Sequence, residues 1–256
     1  MKLDKFSQDD FIKASNRLVR SLTRGKTTSS QLKAILLGGQ SGAGKTTIHR
    51  IKQREFQGNI IIIDGDSYRS FHPNYLALQE KYGKDSVDYT KVFAGQMVEY
   101  LVDELSKKGY HLLIEGTLRT TEVPRKTAQL LATRGYQVSL ALIATKPELS
   151  YLSTLIRYEE LYAIDPSQAR ATPKEHHDGI VEHLVDNLRE LENDKIFNQI
   201  QIYQRDQSCV YDSEVDQISA AEHLHECLFG KWSKVEEEML KMGQERLREL
   251  GMRTPK

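Results

Sequence analysis

The chain has 256 residues, enough for one or two domains and for a core that needs no disulfide or metal staples. Lysine plus arginine and aspartate plus glutamate stand at 36 each, so the formal net charge is zero and composition gives no sign of a nucleic-acid partner. Two cysteines, Cys209 and Cys227, are too few for a disulfide scaffold or a zinc site and read as buried small apolar side chains.

The first ten residues, MKLDKFSQDD, are charged and lack the apolar stretch of a secretory signal, and no run approaches the roughly 20 apolar residues that span a bilayer. The expectation is a cytoplasmic protein without membrane contact. Ser7-Gln8-Asp9-Asp10 has the form of a helix cap, and Phe11, Ala14, Leu18 and Leu22 follow at helical spacing. Small polar residues from Arg24 to Ser30 read as a linker, so residues 1–30 form a helical arm. From Lys33 the pattern changes to apolar runs alternating with helix-like segments. The runs are Ala34–Leu37, Asn59–Asp64, Leu112–Ile114, Val138–Ile143 and, more weakly, Ile200–Tyr203. Uninterrupted strands alternating with helices predict an α/β fold, a parallel sheet covered by helices on both faces, over residues 31–212. Residues 213–256 read as helices at Ala220–Phe229 and Trp232–Leu250, packed on the body through Trp232, Val235 and Met239.

The segment Gly39-Gln40-Ser41-Gly42-Ala43-Gly44-Lys45-Thr46-Thr47 matches the phosphate-binding pattern G-x-x-x-x-G-K-[ST] in full, with a strand before it and a helix start after it. Glycines let backbone N–H groups turn inward around phosphates, and the helix N-terminus adds positive field. Lys45 is placed to reach the β- and γ-phosphates and Thr46 to hold Mg²⁺. The motif gives nucleotide binding, ATP or GTP, but not reaction type.

Ligands of such sheets sit at the C-terminal strand edges, where two acids stand. Asp66 follows Ile63-Asp64-Gly65; by position it is equally a general base for an attacking hydroxyl and a turn or cap residue. Glu115 ends the third strand and is equally a group ordering the water shell of Mg²⁺ and a salt-bridge partner. Arg157 and Arg170 are candidates for meeting charge on a transferring phosphoryl group, against the alternative of ordinary helix-surface arginines. His176-His177 reads as helix surface, since no further ligands stand at metal spacing, and Asp64 as a structural strand-end group.

Taken together, these segments resemble the zeta toxin family, in its Pez-type branch. The marks are the phosphate loop, Ile63-Asp64-Gly65-Asp66-Ser67-Tyr68-Arg69 with His72-Pro73, Ile114-Glu115-Gly116-Thr117-Leu118-Arg119-Thr120 with Val123-Pro124, Tyr151-Leu152 with Arg157-Tyr158-Glu159, and Ala169-Arg170-Ala171-Thr172-Pro173-Lys174. The resemblance implies a P-loop kinase-like fold and a kinase that phosphorylates the 3′-hydroxyl of the amino sugar of UDP-N-acetylglucosamine, blocking peptidoglycan synthesis. It assigns Lys45 and Thr46 to ATP and Mg²⁺, Asp66 as base, and Arg157 and Arg170 to the transferring phosphoryl group. Glu99, Thr117, Arg119 and Thr127 would shape the sugar-nucleotide pocket, with Glu115 also there, near Mg²⁺. It further implies a small cognate antitoxin that blocks the nucleotide site. The other readings are a P-loop kinase of another small hydroxyl acceptor, such as a nucleoside or an antibiotic, and a non-enzymatic nucleotide switch. Against the switch, no Asn-Lys-x-Asp base-reading motif is present.

Overall fold

The computed structural model describes residues 2–165, 169 and 171–253. Helix α1 (Gln8–Thr23) opens with the expected capping box. The Ser7 side chain accepts from the Asp10 N–H, and the Asp10 carboxylate accepts from the Ser7 N–H, together worth about 1 kcal/mol. The arm does not stand apart: its Phe11 and Leu18 are buried in the main core.

The body follows as β1 (Lys33–Gly38), α2 (Thr46–Glu55), β2 (Ile61–Ile63), α3 (Gly65–Tyr68), α4 (Tyr75–Tyr82), α5 (Ser86–Lys107), β3 (Leu112–Glu115), α6 (Glu122–Thr133), β4 (Gln137–Ile143), α7 (Pro147–Ile164), α8 (Lys174–Asn193), β5 (Gln199–Tyr203), β6 (Cys209–Asp212), α9 (Ala220–Phe229) and α10 (Lys234–Arg253). The sheet order is β2-β3-β1-β4-β5-β6, with every pairing parallel except β5 with β6. Both faces are covered, which is why the central strands are apolar without alternation. Ala34, Leu36, Leu112, Ile114, Leu140 and Leu142 face a large core built with α1, α5, α6, α8 and α9. Ile35, Leu37, Leu113 and Ile143 face α2 through Ile48. Along α5, Phe93, Met97, Leu101 and Leu105 recur every fourth residue and are fully buried, each worth roughly 2 kcal/mol of transfer free energy.

Four expectations need correction. A sixth strand, β6, turns back antiparallel on the edge and was not legible as an apolar run. The second strand is shorter than its apolar run, Ile61–Ile63 only. The last helix begins at Lys234, behind a Ser233–Glu236 capping pair, and packs on α7, where Gly243 permits close approach to Leu152; Val235 and Met239 stay exposed. Cys209 is exposed, against the expectation of a buried side chain, while Cys227 is half-buried and packs against the main core. Among the described residues no helix is long and apolar enough to cross a membrane.

Candidate functional site

The phosphate loop links β1 to α2 with three glycines in the positive-φ region, Gly39 at 138°, Gly42 at 74° and Gly44 at 104°. The packing also demands glycine: a Cβ on Gly42 would come within 2.0 Å of the Ser150 carbonyl oxygen on α7. Helix α2 starts with no side-chain cap and no acid in its first turn, so its positive end is left for an anion. Lys45 folds over the loop, its Nζ donating to the carbonyls of Gly39 at 3.1 Å and Gln40 at 3.4 Å. The loop is braced from behind. Thr145 donates to the Ala43 carbonyl at 2.8 Å, and Arg205 donates to the carbonyls of Ala43 and Gly42 and to Ser153 Oγ. Burial pushes the Arg205 guanidinium below its ordinary value, so three acceptors offset a costly desolvation. Arg205 carried no sequence signal beyond its place after the β5 strand.

The strand-end acids resolve into separate jobs. Asp64 is the N-cap of α3, accepting from the Asp66 N–H at 3.0 Å and Ser67 Oγ at 2.6 Å. The cap is thus Asp64 and not Asp66, whose side chain is 76% exposed and lines the crevice. Arg69 orients it, donating Nε–H to Oδ1 at 2.8 Å, and Arg69 is itself pinned to the Val87 carbonyl and Thr90. Glu115 ends β3 in register with Leu37, just before the loop. One oxygen lies 3.7 Å from Lys45 Nζ, and the other contacts His49 Nε2 at 2.8 Å without hydrogen-bond alignment.

A cavity of about 650 Å³ brings Ser41 of the phosphate loop together with Asp66, Arg69, Arg119, Arg157 and His176; Lys45, Thr46 and Glu115 are not among its lining residues. Sequence reasoning had left Arg69 and His176 without a role. Arg119 is presented by a strained turn. Leu118, buried, adopts φ 57°, a backbone region that L side chains rarely occupy, and the Asn187 side chain on α8 holds its carbonyl at 2.9 Å. Burial and then the neighbouring Arg119 push the His176 imidazole below its ordinary value. Arg157 reaches the cavity from α7. Thr117 is half-buried in the turn after β3. Glu99 is exposed on α5 and Thr127 half-buried on α6, and neither lines this cavity. Arg170 lies outside the described residues. His177 corrects the surface expectation: it is 1% exposed, turned inward between α7 and α8.

Thr46, the first residue of α2, and Glu115, at the end of β3 and 3.7 Å from Lys45 Nζ, are oxygen donors of the type a hard cation takes. Among the described residues no cluster of three or more His, Cys, Asp or Glu forms a metal cage.

Residues 19–216 match the zeta toxin family model, which covers most of the chain. The chain belongs to the zeta toxin family. It is 70% identical over 98% of its length to the toxin PezT of Streptococcus pneumoniae, of which it covers 99%. It is 40% identical to toxin zeta of Streptococcus pyogenes over 89% of this chain and 80% of that one. Among solved structures, a chain from the PezAT chromosomal toxin–antitoxin system of S. pneumoniae superposes with a TM-score of 0.93 at 68% identity, covering 98% of this chain and all of that one. The zeta family P-loop kinase-like fold is thereby shown over the whole described body.

Proposed function

We propose that this zeta toxin family member is a toxin kinase that transfers the γ-phosphate of ATP to the 3′-hydroxyl of the amino sugar of UDP-N-acetylglucosamine. The observation that carries the reading is one cavity lined by an exposed, Arg69-oriented Asp66 together with Arg119, Arg157 and Ser41 of the phosphate loop. A phosphotransferase needs a carboxylate beside the acceptor hydroxyl and guanidinium groups beside the transferring phosphate. The cationic lining, Arg69, Lys91, Arg119 and Arg157 against Asp66 and Asp88, favours an acceptor that itself carries negative charge, as a nucleoside diphosphate sugar does.

In this mechanism the loop amides and the α2 N-terminus hold the β- and γ-phosphates, and Lys45 leaves the Gly39 and Gln40 carbonyls to neutralise them. Thr46 would hold Mg²⁺, with Glu115 beside it; when bound, the ion offsets charge on the phosphate oxygens. Asp66 accepts the proton of the acceptor hydroxyl as its oxygen attacks the γ-phosphorus, the bond from that phosphorus to the β,γ-bridging oxygen breaks and ADP leaves with the electron pair, and Arg157 meets the charge spreading over the equatorial oxygens. Arg170 is assigned the same task by the family pattern. The likeness to the PezAT chain supports an antitoxin as partner; that it is a small protein acting at the nucleotide site, in the cytoplasm, is proposed from the family resemblance.

The test incubates the purified chain with Mg²⁺-ATP and UDP-N-acetylglucosamine beside the Asp66→Asn variant. Phosphorylated sugar nucleotide from the wild type alone is expected. Its absence from the wild type, with product appearing on a nucleoside or antibiotic acceptor instead, would reassign the acceptor.

A further inference from the structure

Behind the phosphate loop lies a buried chain of polar side chains that the phosphotransfer reading does not use. Gln40, fully buried, donates its amide to the Thr145 carbonyl at 2.8 Å and to Ser150 Oγ at 3.2 Å. Its Oε1 has no hydrogen-bond partner among the described residues. Ser150 Oγ in turn lies 2.8 Å from Nε2 of His177, and the opposite ring nitrogen lies 3.1 Å from Asp178 Oδ1. The ring also packs on Tyr151, with centroids 5.3 Å apart. Three elements meet here: the phosphate loop, and α7 and α8, each at its fourth residue.

Donor and acceptor bookkeeping fixes the direction of the chain. Asp178 is an acceptor, so Nδ1 carries the hydrogen that faces it, and in the neutral ring Nε2 is then an acceptor for the Ser150 hydroxyl. Ser150 has one hydroxyl hydrogen and two candidate acceptors, His177 Nε2 and the Pro147 carbonyl at 2.9 Å. Without the imidazole the hydroxyl turns to its own helix, and the link to α8 is lost. Such a link is costly to bury and is worth most when every member is satisfied.

What it controls follows from helix geometry. Ser150 and Arg157 are seven residues apart, on one face of α7. The Ser150 carbonyl packs against Gly42, and Arg157 reaches the acceptor cavity. Fixing α7 at Ser150 therefore fixes the approach of Arg157 to the loop. We infer that His177 is a positioning residue, which through Ser150 and Gln40 sets α7 and its Arg157 against the phosphate loop. A displacement of about 1 Å in such a group is enough to lower turnover on the order of a hundredfold.

The experiment compares wild type, His177→Phe and His177→Gln. Glutamine can place a polar group where Nε2 stood, and phenylalanine keeps the ring volume without it. Transfer kinetics and affinity for a non-hydrolysable ATP analogue are measured on each. His177→Phe is expected to lower kcat roughly tenfold or more, with analogue affinity and KM for ATP within about threefold, and His177→Gln to recover most of the loss. Wild-type kcat in the phenylalanine variant, a change confined to KM, or no recovery with glutamine overturns the inference. Should His177→Phe not fold, Ser150→Ala removes the shared hydroxyl, and unchanged kcat there overturns it equally. The kinetic readout rests on the proposed phosphotransferase reading. A wild type that phosphorylates no acceptor sinks that reading alone, and His177 is then judged by amide exchange over residues 147–158. Faster exchange in His177→Phe than in His177→Gln supports the positioning role, and equal exchange overturns it.

Discussion

Nζ of Lys45 lies 3.7 Å from Oε1 of Glu115 while donating to two carbonyls of its own loop. The lysine is thus held at the mouth of the phosphate site by weak partners that a phosphate readily outcompetes. Lys45→Ala is expected to abolish transfer, by at least about a hundredfold in kcat/KM, because charge neutralisation is most of the catalysis here. Glu115→Gln, which keeps the shape and removes the charge, should lower kcat and raise the Mg²⁺ concentration needed for half-maximal rate. The residual rate of Lys45→Ala and a Mg²⁺ titration of Glu115→Gln beside the wild type check this, and an unchanged midpoint in Glu115→Gln would remove it from the proposed cation site.

The neighbouring pair Asp64 and Asp66 should separate cleanly. Asp64→Ala removes the α3 cap and is expected to cost about 1 kcal/mol of stability. Asp66→Ala is expected to leave stability nearly unchanged and to eliminate transfer with nucleotide affinity retained. Urea unfolding midpoints set beside single-turnover rates decide between the two assignments.

Gly42→Ala places a Cβ 2.0 Å from the Ser150 carbonyl at φ 74°. Gly58→Ala, at φ 80° with nothing within 4 Å, carries the backbone cost alone. The expected loss is about 1–2 kcal/mol for Gly58→Ala and clearly more for Gly42→Ala. Only the second should also weaken ATP-analogue binding. Equal losses in the two variants would mean that α7 does not press on the loop.

Asp103 on α5 pairs with Lys107 at 2.6 Å and Arg134 at 2.5 Å, and those partners hold its carboxyl below the ordinary value of 3.8. A lowered folded-state value means that the unfolded chain binds more protons, so the contribution is complete above about pH 4 and is lost as the pH falls through the lower folded value. The side chain is 42% exposed, so the effect is modest. Asp103→Asn should flatten the acid limb of the stability curve. Parallel curves for wild type and variant between pH 2 and pH 5 would contradict this.

The phosphate loop and central strands were legible in the sequence because both are local: a glycine pattern at fixed spacing, and strands whose two buried faces leave no room for polar alternation. The α1 capping box was legible for the same reason. The proposed roles at Asp66 and Arg157 owe more to family pattern, since position alone left cap and base equal for Asp66 until Asp64 was found to be the cap. The rest depended on what packs against what. β6 has one buried side chain and no apolar run, so nothing marked it. His177 looks like helix surface in a run of charged residues, and only the crossing of α7 over α8 turns it inward. Arg205 and Arg69 are arginines among 36 basic residues, distinguished solely by the carbonyls and carboxylate they meet.

The two margins of the sheet bear on how this chain behaves in concentrated solution. A protein of zero net charge has little long-range repulsion to keep copies apart. An open strand margin would then offer a template for chain-to-chain pairing. Here one margin, β2, is three residues long, and the other, β6, is four residues long and irregular in register against Ile202 and Tyr203. Short, uneven borders of this kind leave a second copy few consecutive backbone groups to grip, so the sheet itself supplies protection against self-association that surface charge does not.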